Sequence, residues 1–299
     1  MSLTLSPPAG TERLTRGSRT DVRSAVFAAL LWLCLTVACV FLLIVLAVIV
    51  SEGWHRFDAN LIGNQPSRLR PETAGVQSAI LGTLWVMGGT IVLALPLGIG
   101  AAIYLEEYAD DTKWWNRLVE LNIQNLVAVP SIIYGILTLA FVVRGPVSVG
   151  AVIIAASVAL ALLILPVVII TTREALRAVP REIRDASLAL GATQWQTTWR
   201  QVLPAAVSGI ATGVILALSR AIGEAAPLIL VGATVFVTVN PEGVLDRYTV
   251  LPVQIYRFVS LPGIEMEQLL WSTILLLMII LLVMNGLAIW LRNRFQRRW

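Results

Sequence analysis

Arg220 and Glu224 stand four residues apart inside an apolar run that extends from Pro204 to roughly Val239. Each charge in a spanning helix costs about 2.5–3.5 kcal/mol on insertion scales, so opposite charges one helical turn apart need a purpose. One purpose is structural, an internal ion pair that fixes helix packing. The other is chemical: a guanidinium facing a transmembrane pathway offers its fork of donors to an oxyanion, and the carboxylate on the same helical face holds it when no anion is present. Other chemistry is thin. His55 is the only histidine and reads as a solvated loop residue. Cys34 and Cys39 sit about 140° apart on one apolar helix and read as small hydrophobes rather than a disulfide or metal pair. There is no G-x-x-x-x-G-K-[ST] loop to cradle nucleotide phosphates and no nucleophile with its base. The sequence therefore offers no catalytic residues, no metal site and no cofactor.

A second polar stretch, REALRAVPREIRDASLALGATQWQTTWRQV from Arg173 to Val202, cannot lie in hydrocarbon. Pro180 favours the first turn of a helix and Gly191 the position just past its end, so a short helix is predicted over Pro180–Leu190. Ile183, Ala186 and Leu190 recur at spacings of three and four, while Arg181, Glu182, Arg184 and Asp185 fill much of the rest. Thr193 and Gln196 have the spacing of a capping box that starts a second helix. That helix carries Trp195 and Trp199, residues at home at a membrane interface, and leads through Leu203-Pro204 into the next apolar run. Such an elbow is either a loop that happens to be helical or a rigid knob that fits a socket on another protein.

These residues need spans to position them. The chain is 57% hydrophobic and 13% charged, with a mean hydropathy of +0.81, far from soluble usage. Six apolar runs are predicted to cross the membrane: Ala25–Val50, Val76–Leu105, Leu121–Val143, Gly145–Thr172, Pro204 to roughly Val239, and Gln268–Leu291. Each exceeds the ~20 residues that a ~30 Å core demands. Fifteen Lys and Arg fall on the side that holds the tails and the elbow, against six on the other, among them Arg56, Arg68 and Arg247. The positive-inside rule then puts both termini in the cytoplasm, and the basic excess faces lipid headgroups rather than nucleic acid. The connection between the second and third runs fits least well, with Lys113 and Arg117 among five acids. Residues 1–24 read as a disordered basic tail, 25–74 as the first span and an outer loop, 75–291 as the functional core with the elbow at 173–204, and 292–299 as a second basic tail. The outer segment TVLPVQIYRFVSLP reads as a short interfacial or re-entrant piece.

Asp185-Ala186-Ser187, with Gly191 four residues on and Leu203-Pro204 beyond, resembles the EAA loop of ABC importer permeases. Asp replaces Glu, Ser replaces the second Ala, and Gln201 stands where an aliphatic residue is usual. The stretches VPSIIYGI (129–136), EALRAVPREIRDASLALGATQWQTT (174–198), LPAAVSGIATGVILALSRAIGEAAPLIL (203–230) and TVLPVQIY (249–256) together resemble the A-type permease of bacterial phosphate importers, within the binding-protein-dependent inner-membrane component family. The resemblance implies an all-α, six-span permease of the MetI-like type in the bacterial cytoplasmic membrane. It implies ABC ATPase subunits met through Glu182, Arg184, Asp185, Ala186, Ser187 and Gly191. It further implies a second, homologous permease forming a heterodimer, an extracytoplasmic phosphate-binding protein, phosphate as substrate, and a transport role for Arg220 and Glu224. The alternatives are a permease for another oxyanion such as molybdate or sulfate, or a transporter or channel working alone. The last would be marked by an internal repeat or several intramembrane acids, and only Glu224 lies deep in a run.

Overall fold

The computed structural model describes residues 22–110, 112–233 and 237–295. The basic tails expected over 1–24 and 292–299 lie outside the described residues, except for 22–24 and 292–295. Among the described residues the backbone is helical or irregular, without a strand. The elements are α1 (Val22–Trp54), α2 (Gln77–Ile103, prolonged by a wide π turn, Tyr104–Tyr108), α3 (Trp114–Val127), α4 (Ser131–Thr138, prolonged by Leu139–Val143) and α5 (Ile153–Arg177). They continue with α6 (Arg181–Ala189), α7 (Gln194–Thr197, running through Thr198–Val202 into α8, Leu203–Ile222), α9 (Ala226–Leu228, prolonged by Ile229–Ala233), α10 (Leu251–Val259) and α11 (Ile264–Phe295).

The chain divides into two compact units, Met1–Val48 and Ile49–Trp299. The described part of the first is the body of α1, apolar on every face, as a helix sheathed in hydrocarbon requires. In the second unit α2, α5 and α8 meet around Val86, Ala94, Leu160, Ile164, Ala217 and Ala221. Small residues allow this close approach, and the Thr90 and Ser157 hydroxyls inside the bundle are satisfied by the preceding turn. Thr90 donates to the Val86 carbonyl at 2.8 Å, and Ser157 donates both to Ile153 at 3.0 Å and, across the helix pair, to Val86 at 3.1 Å.

Five helices are long and apolar enough to cross a membrane, and a bent pair makes a sixth crossing if its halves count as one. Three of the expected spans are redrawn. The run Leu121–Val143 is not one rod: Trp114–Val127 and Ser131–Val143 meet at 106°. Pro130 pushes Val129 away from helical geometry and supplies no amide hydrogen, while the Tyr134 hydroxyl donates to the Leu126 carbonyl at 2.7 Å across the corner. The fourth span starts at Ile153 rather than Gly145 and runs on to Arg177, because positive φ at Ser148 and Gly150 makes 145–152 a turn. The fifth starts early, at Gln194, and stops at Ile222; of its predicted remainder, 234–236 lie outside the described residues.

On the opposite end from the elbow, irregular segments close the bundle. His55 is exposed, as its loop setting predicted, whereas the adjacent Arg56 is buried and donates to the carbonyls of Glu72 and Ala74 at 2.5 and 3.0 Å. Burial lowers the Arg56 pKa. The segment 237–250 caps α5, accepting from the Ile153 and Ile154 amides through Asp246 and Val244. The predicted interfacial piece is α10. It buries Val253 and Phe258 in the chain and turns Tyr256 and Val259 outward.

Candidate functional site: an elbow and a helix break

The elbow forms where its local chemistry dictates. Pro180 is the N-cap of α6 and Leu190 its C-cap, one residue inside the predicted bounds at each end. Gly191 takes φ +84, a left-handed conformation that glycine adopts without Cβ strain. It reverses the chain, with the Ala192 amide donating to the Ser187 carbonyl at 3.2 Å. The capping box is complete: Thr193 Oγ1 accepts from the Gln196 amide at 3.2 Å, and Gln196 Oε1 accepts from the Thr193 amide at 3.0 Å. Ser187 and Thr197 hydroxyls, 2.9 Å apart, pin the two arms together.

Of the residues expected to meet a partner, Glu182, Asp185, Ala186 and Gly191 are exposed and Ser187 is half-buried. Leu190 is 89% exposed at the tip, and Ala186, Leu190, Gln196 and Arg200 line a groove of about 450 Å³. The apolar positions that the helical period grouped do not share one fate. Ile183 packs against the apolar cluster that contains Leu176 and Val202, while Ala186 and Leu190 face outward. Trp195 and Trp199 lie ring to ring at 5.1 Å on the exposed side of the second arm.

Arg184 is turned back into the chain. It donates to the Glu107 carboxylate through Nη2 at 2.7 Å and Nε at 3.3 Å, and to the carbonyls of Leu176 and Val179 at 2.9 and 2.7 Å. The latter pair sits at the C-terminus of α5, where the helix dipole favours a cation. Gln194 of the second arm donates its side-chain amide to the Glu107 backbone carbonyl. Beside this, Glu106 accepts from Arg173 at 3.3 Å and from Arg177 at 3.0 Å, and Glu120 of α3 accepts from Arg173 at 3.0 Å. Thr112 donates its amide and hydroxyl to Asp110, holding that carboxyl below the usual range. The sequence reading missed Glu106, Glu107 and Glu120. The signal was there: an acid-rich connection and an arginine-rich one, each unbalanced alone, neutralise one another.

Arg220 lies near the middle of the bundle. Gly209 is level with Ala175, and Gly213 with Thr171, since a Cβ on either glycine would overlap that side chain. The same register puts Arg220 level with Ile164, one residue from the centre of Ile153–Arg177 and about 17 and 20 Å from its two ends at 1.5 Å per residue. Glu224 does not share a helical face with it, contrary to the spacing argument. α8 stops at Ile222, Gly223 follows as its cap, and Glu224 sits in the turn, its amide donating to the Ala221 carbonyl at 3.2 Å. The two side chains still approach, Arg220 Nε to Glu224 Oε1 at 3.8 Å, with 47% and 22% exposed. Beyond the break α9 presses on α4, where a Cβ on Gly135 would fall 2.7 Å from Pro227 Cα. Among the described residues no group of three His, Cys, Asp or Glu could hold a metal ion.

Long apolar helices, a charge beside a helix end and level with the centre of a neighbouring span, and a helical elbow projecting from one end define a polytopic membrane transport component. Residues 94–299 match the family of binding-protein-dependent transport system inner membrane components, and the chain belongs to that family. It is 34% identical over 293 residues to the phosphate transport system permease protein PstA 1 of Mycobacterium tuberculosis, covering 94% of this chain and 92% of that one. It is 30% identical over 275 residues to PstA of Haemophilus influenzae, covering 92% and 91%. Among solved structures, a bacterial alginate ABC transporter chain superposes with a TM-score of 0.65 at 14% identity, covering 90% of this chain and 94% of that chain. An inward-facing MetNI methionine ABC transporter chain gives 0.58 at 18%, covering 75% and 95%. These two share the fold, a MetI-like permease. The chain is thus a multi-pass subunit of the cytoplasmic membrane, a transport component rather than an enzyme. Membership of the family implies a separate ATPase and a substrate-binding protein.

Proposed function

We propose that this chain is the A-type permease of a phosphate importer. In this reading it pairs with a second, homologous permease, receives phosphate from an extracytoplasmic binding protein, and is driven by ATPases seated on the elbow. The observation that carries the reading is Arg220, a guanidinium near mid-depth beside a helix break. A guanidinium there compensates the negative charge of a partly dehydrated phosphate, and the phosphate permeases among the relatives favour that substrate over molybdate or sulfate. Glu224 is the counter-charge that holds Arg220 between transport events. On the elbow, Glu182, Asp185, Ala186, Ser187, Leu190 and Gly191 offer a partner an exposed charged flank and an apolar tip; Arg184 contributes from within, by holding α6 in place. The distribution of basic residues favours cytoplasmic termini and a cytoplasmic elbow.

Radiolabelled phosphate uptake in cells lacking the subunit, with and without this chain, tests the reading. Restoration of uptake, abolished by Arg220→Gln in a complex that still assembles, is the expected result. Uptake of molybdate or sulfate in place of phosphate would reject the substrate.

A further inference from the structure

We propose that Glu107 is the joint through which the elbow moves the second span. The elbow is continuous in sequence only with α5 and α8. Glu107, at the inner end of α2, adds an attachment to a helix that neither arm belongs to, and it takes hold of both arms at once. Its carboxylate binds Arg184 of the first arm through two nitrogens, and its backbone carbonyl accepts from Gln194 of the second. The pair is sheltered, with the Glu107 and Arg184 side chains 7% and 20% exposed. Arg184 is also anchored from behind by the carbonyls of Leu176 and Val179. Displacing α6 relative to α2 must therefore either break a charge-assisted, two-point bond in a sheltered setting or carry α2 along. Carrying α2 along shifts the wall formed by Val86 and Ala94, which belongs to the same core as Ala217 and Ala221 on either side of Arg220.

Glu106, one residue earlier, has a different role. Its arginine partners, Arg173 and Arg177, both belong to α5, so it ties two spans together without touching α6 or α7.

This joint rests on the reading that a partner motor moves the elbow. Its test uses the complete complex in vesicles, with Cys34 and Cys39 replaced by Ser and spin labels at the exposed positions Tyr104 and Ala189. With Glu107 intact the distance between labels is expected to stay narrow and unchanged when ATP is added. In Glu107→Gln it should broaden and shift on ATP addition, while hydrolysis per complex stays within about twofold and phosphate uptake falls roughly tenfold. The reversed pair, Glu107→Arg with Arg184→Glu, should restore both the narrow distance and most of the uptake. Indistinguishable distances in Glu107→Gln and its parent overturn the proposal. So does a reversed pair that restores neither reading, and this arm decides the matter if Glu107→Gln alone fails to assemble. The label distance needs no substrate, so a complex that carries no phosphate refutes the substrate assignment while the joint is still judged on distance.

Discussion

Arg220 meets Glu224 at 3.8 Å with nearly half of its side chain exposed, a loose pair beside the two-point, sheltered Arg184–Glu107 bond. The difference matters for what each can do. A tightly held guanidinium is unavailable to a passing anion, whereas a loosely held one can exchange its carboxylate for a phosphate oxygen. Arg220→Gln is expected to lower phosphate uptake by about a hundredfold or more, and Arg220→Lys to recover part of it, because an ammonium keeps the charge but loses the planar fork. Glu224→Gln should act in the opposite sense on binding. With no internal competitor the apparent KM falls, and turnover falls with it, by several-fold each, because release is slowed. Initial rates of labelled phosphate uptake in vesicles, normalised to assembled complex, separate these outcomes. If Glu224→Gln raised KM and lowered the yield of complex together, the pair would be a packing device.

At the scale of the elements, Gly191 offers a clean test of the elbow because its surroundings are empty. A Cβ there would meet nothing within 4 Å, yet φ is +84, so any substitution acts through the backbone alone. Gly191→Val is expected to cost about 1–2 kcal/mol in the turn, whereas Gly191→Asn, which tolerates the left-handed region, should cost less. Co-purification of the ATPase with this chain should fall accordingly, clearly for valine and slightly for asparagine; equal retention in both variants would separate the elbow from ATPase binding. The turn was legible in the sequence for the same reason that it is testable: glycine, proline and the Thr193–Gln196 box act within a few residues of themselves. Apolar spans were legible because hydropathy is summed over one helix at a time. What could not be read depends on partners far along the chain. Glu106 and Arg177 are 71 residues apart, and nothing local pairs them. The end of α8 at Ile222 was half-legible: Arg220 to Glu224 has helical spacing, yet Gly223 caps the helix and Pro227 cannot continue it, and the pressing of α9 on α4 adds a contact from far along the chain. Pro130 lies between these cases. Its presence was plain, but a proline in a membrane helix can be absorbed by its neighbours, and the 106° corner follows from the contacts around it.

For the whole molecule, the ion pairs reduce orientation to a single choice. Glu106 and Glu107 follow α2, Glu120 lies on α3, and Arg173, Arg177 and Arg184 follow or end α5, so the direct bonds between them require both connections to lie on one side of the membrane. The acid-rich connection that agreed least with the positive-inside count is therefore bound to the side that agrees best, and its carboxylates neutralise arginines there rather than argue for the other leaflet. The segment around Leu69, which is 94% exposed, belongs to the opposite end. Cytoplasmic placement of the elbow then predicts a definite labelling pattern in intact cells that express the chain with Cys34 and Cys39 replaced by Ser. A cysteine at Leu69 should react at once with a membrane-impermeant maleimide, and one at Ala189 should react only after the inner membrane is opened. Because the paired connections cannot be on different sides, a reversed pattern would invert the whole chain, putting the elbow beyond reach of any ATP-consuming partner, and the coupling role would fall with it.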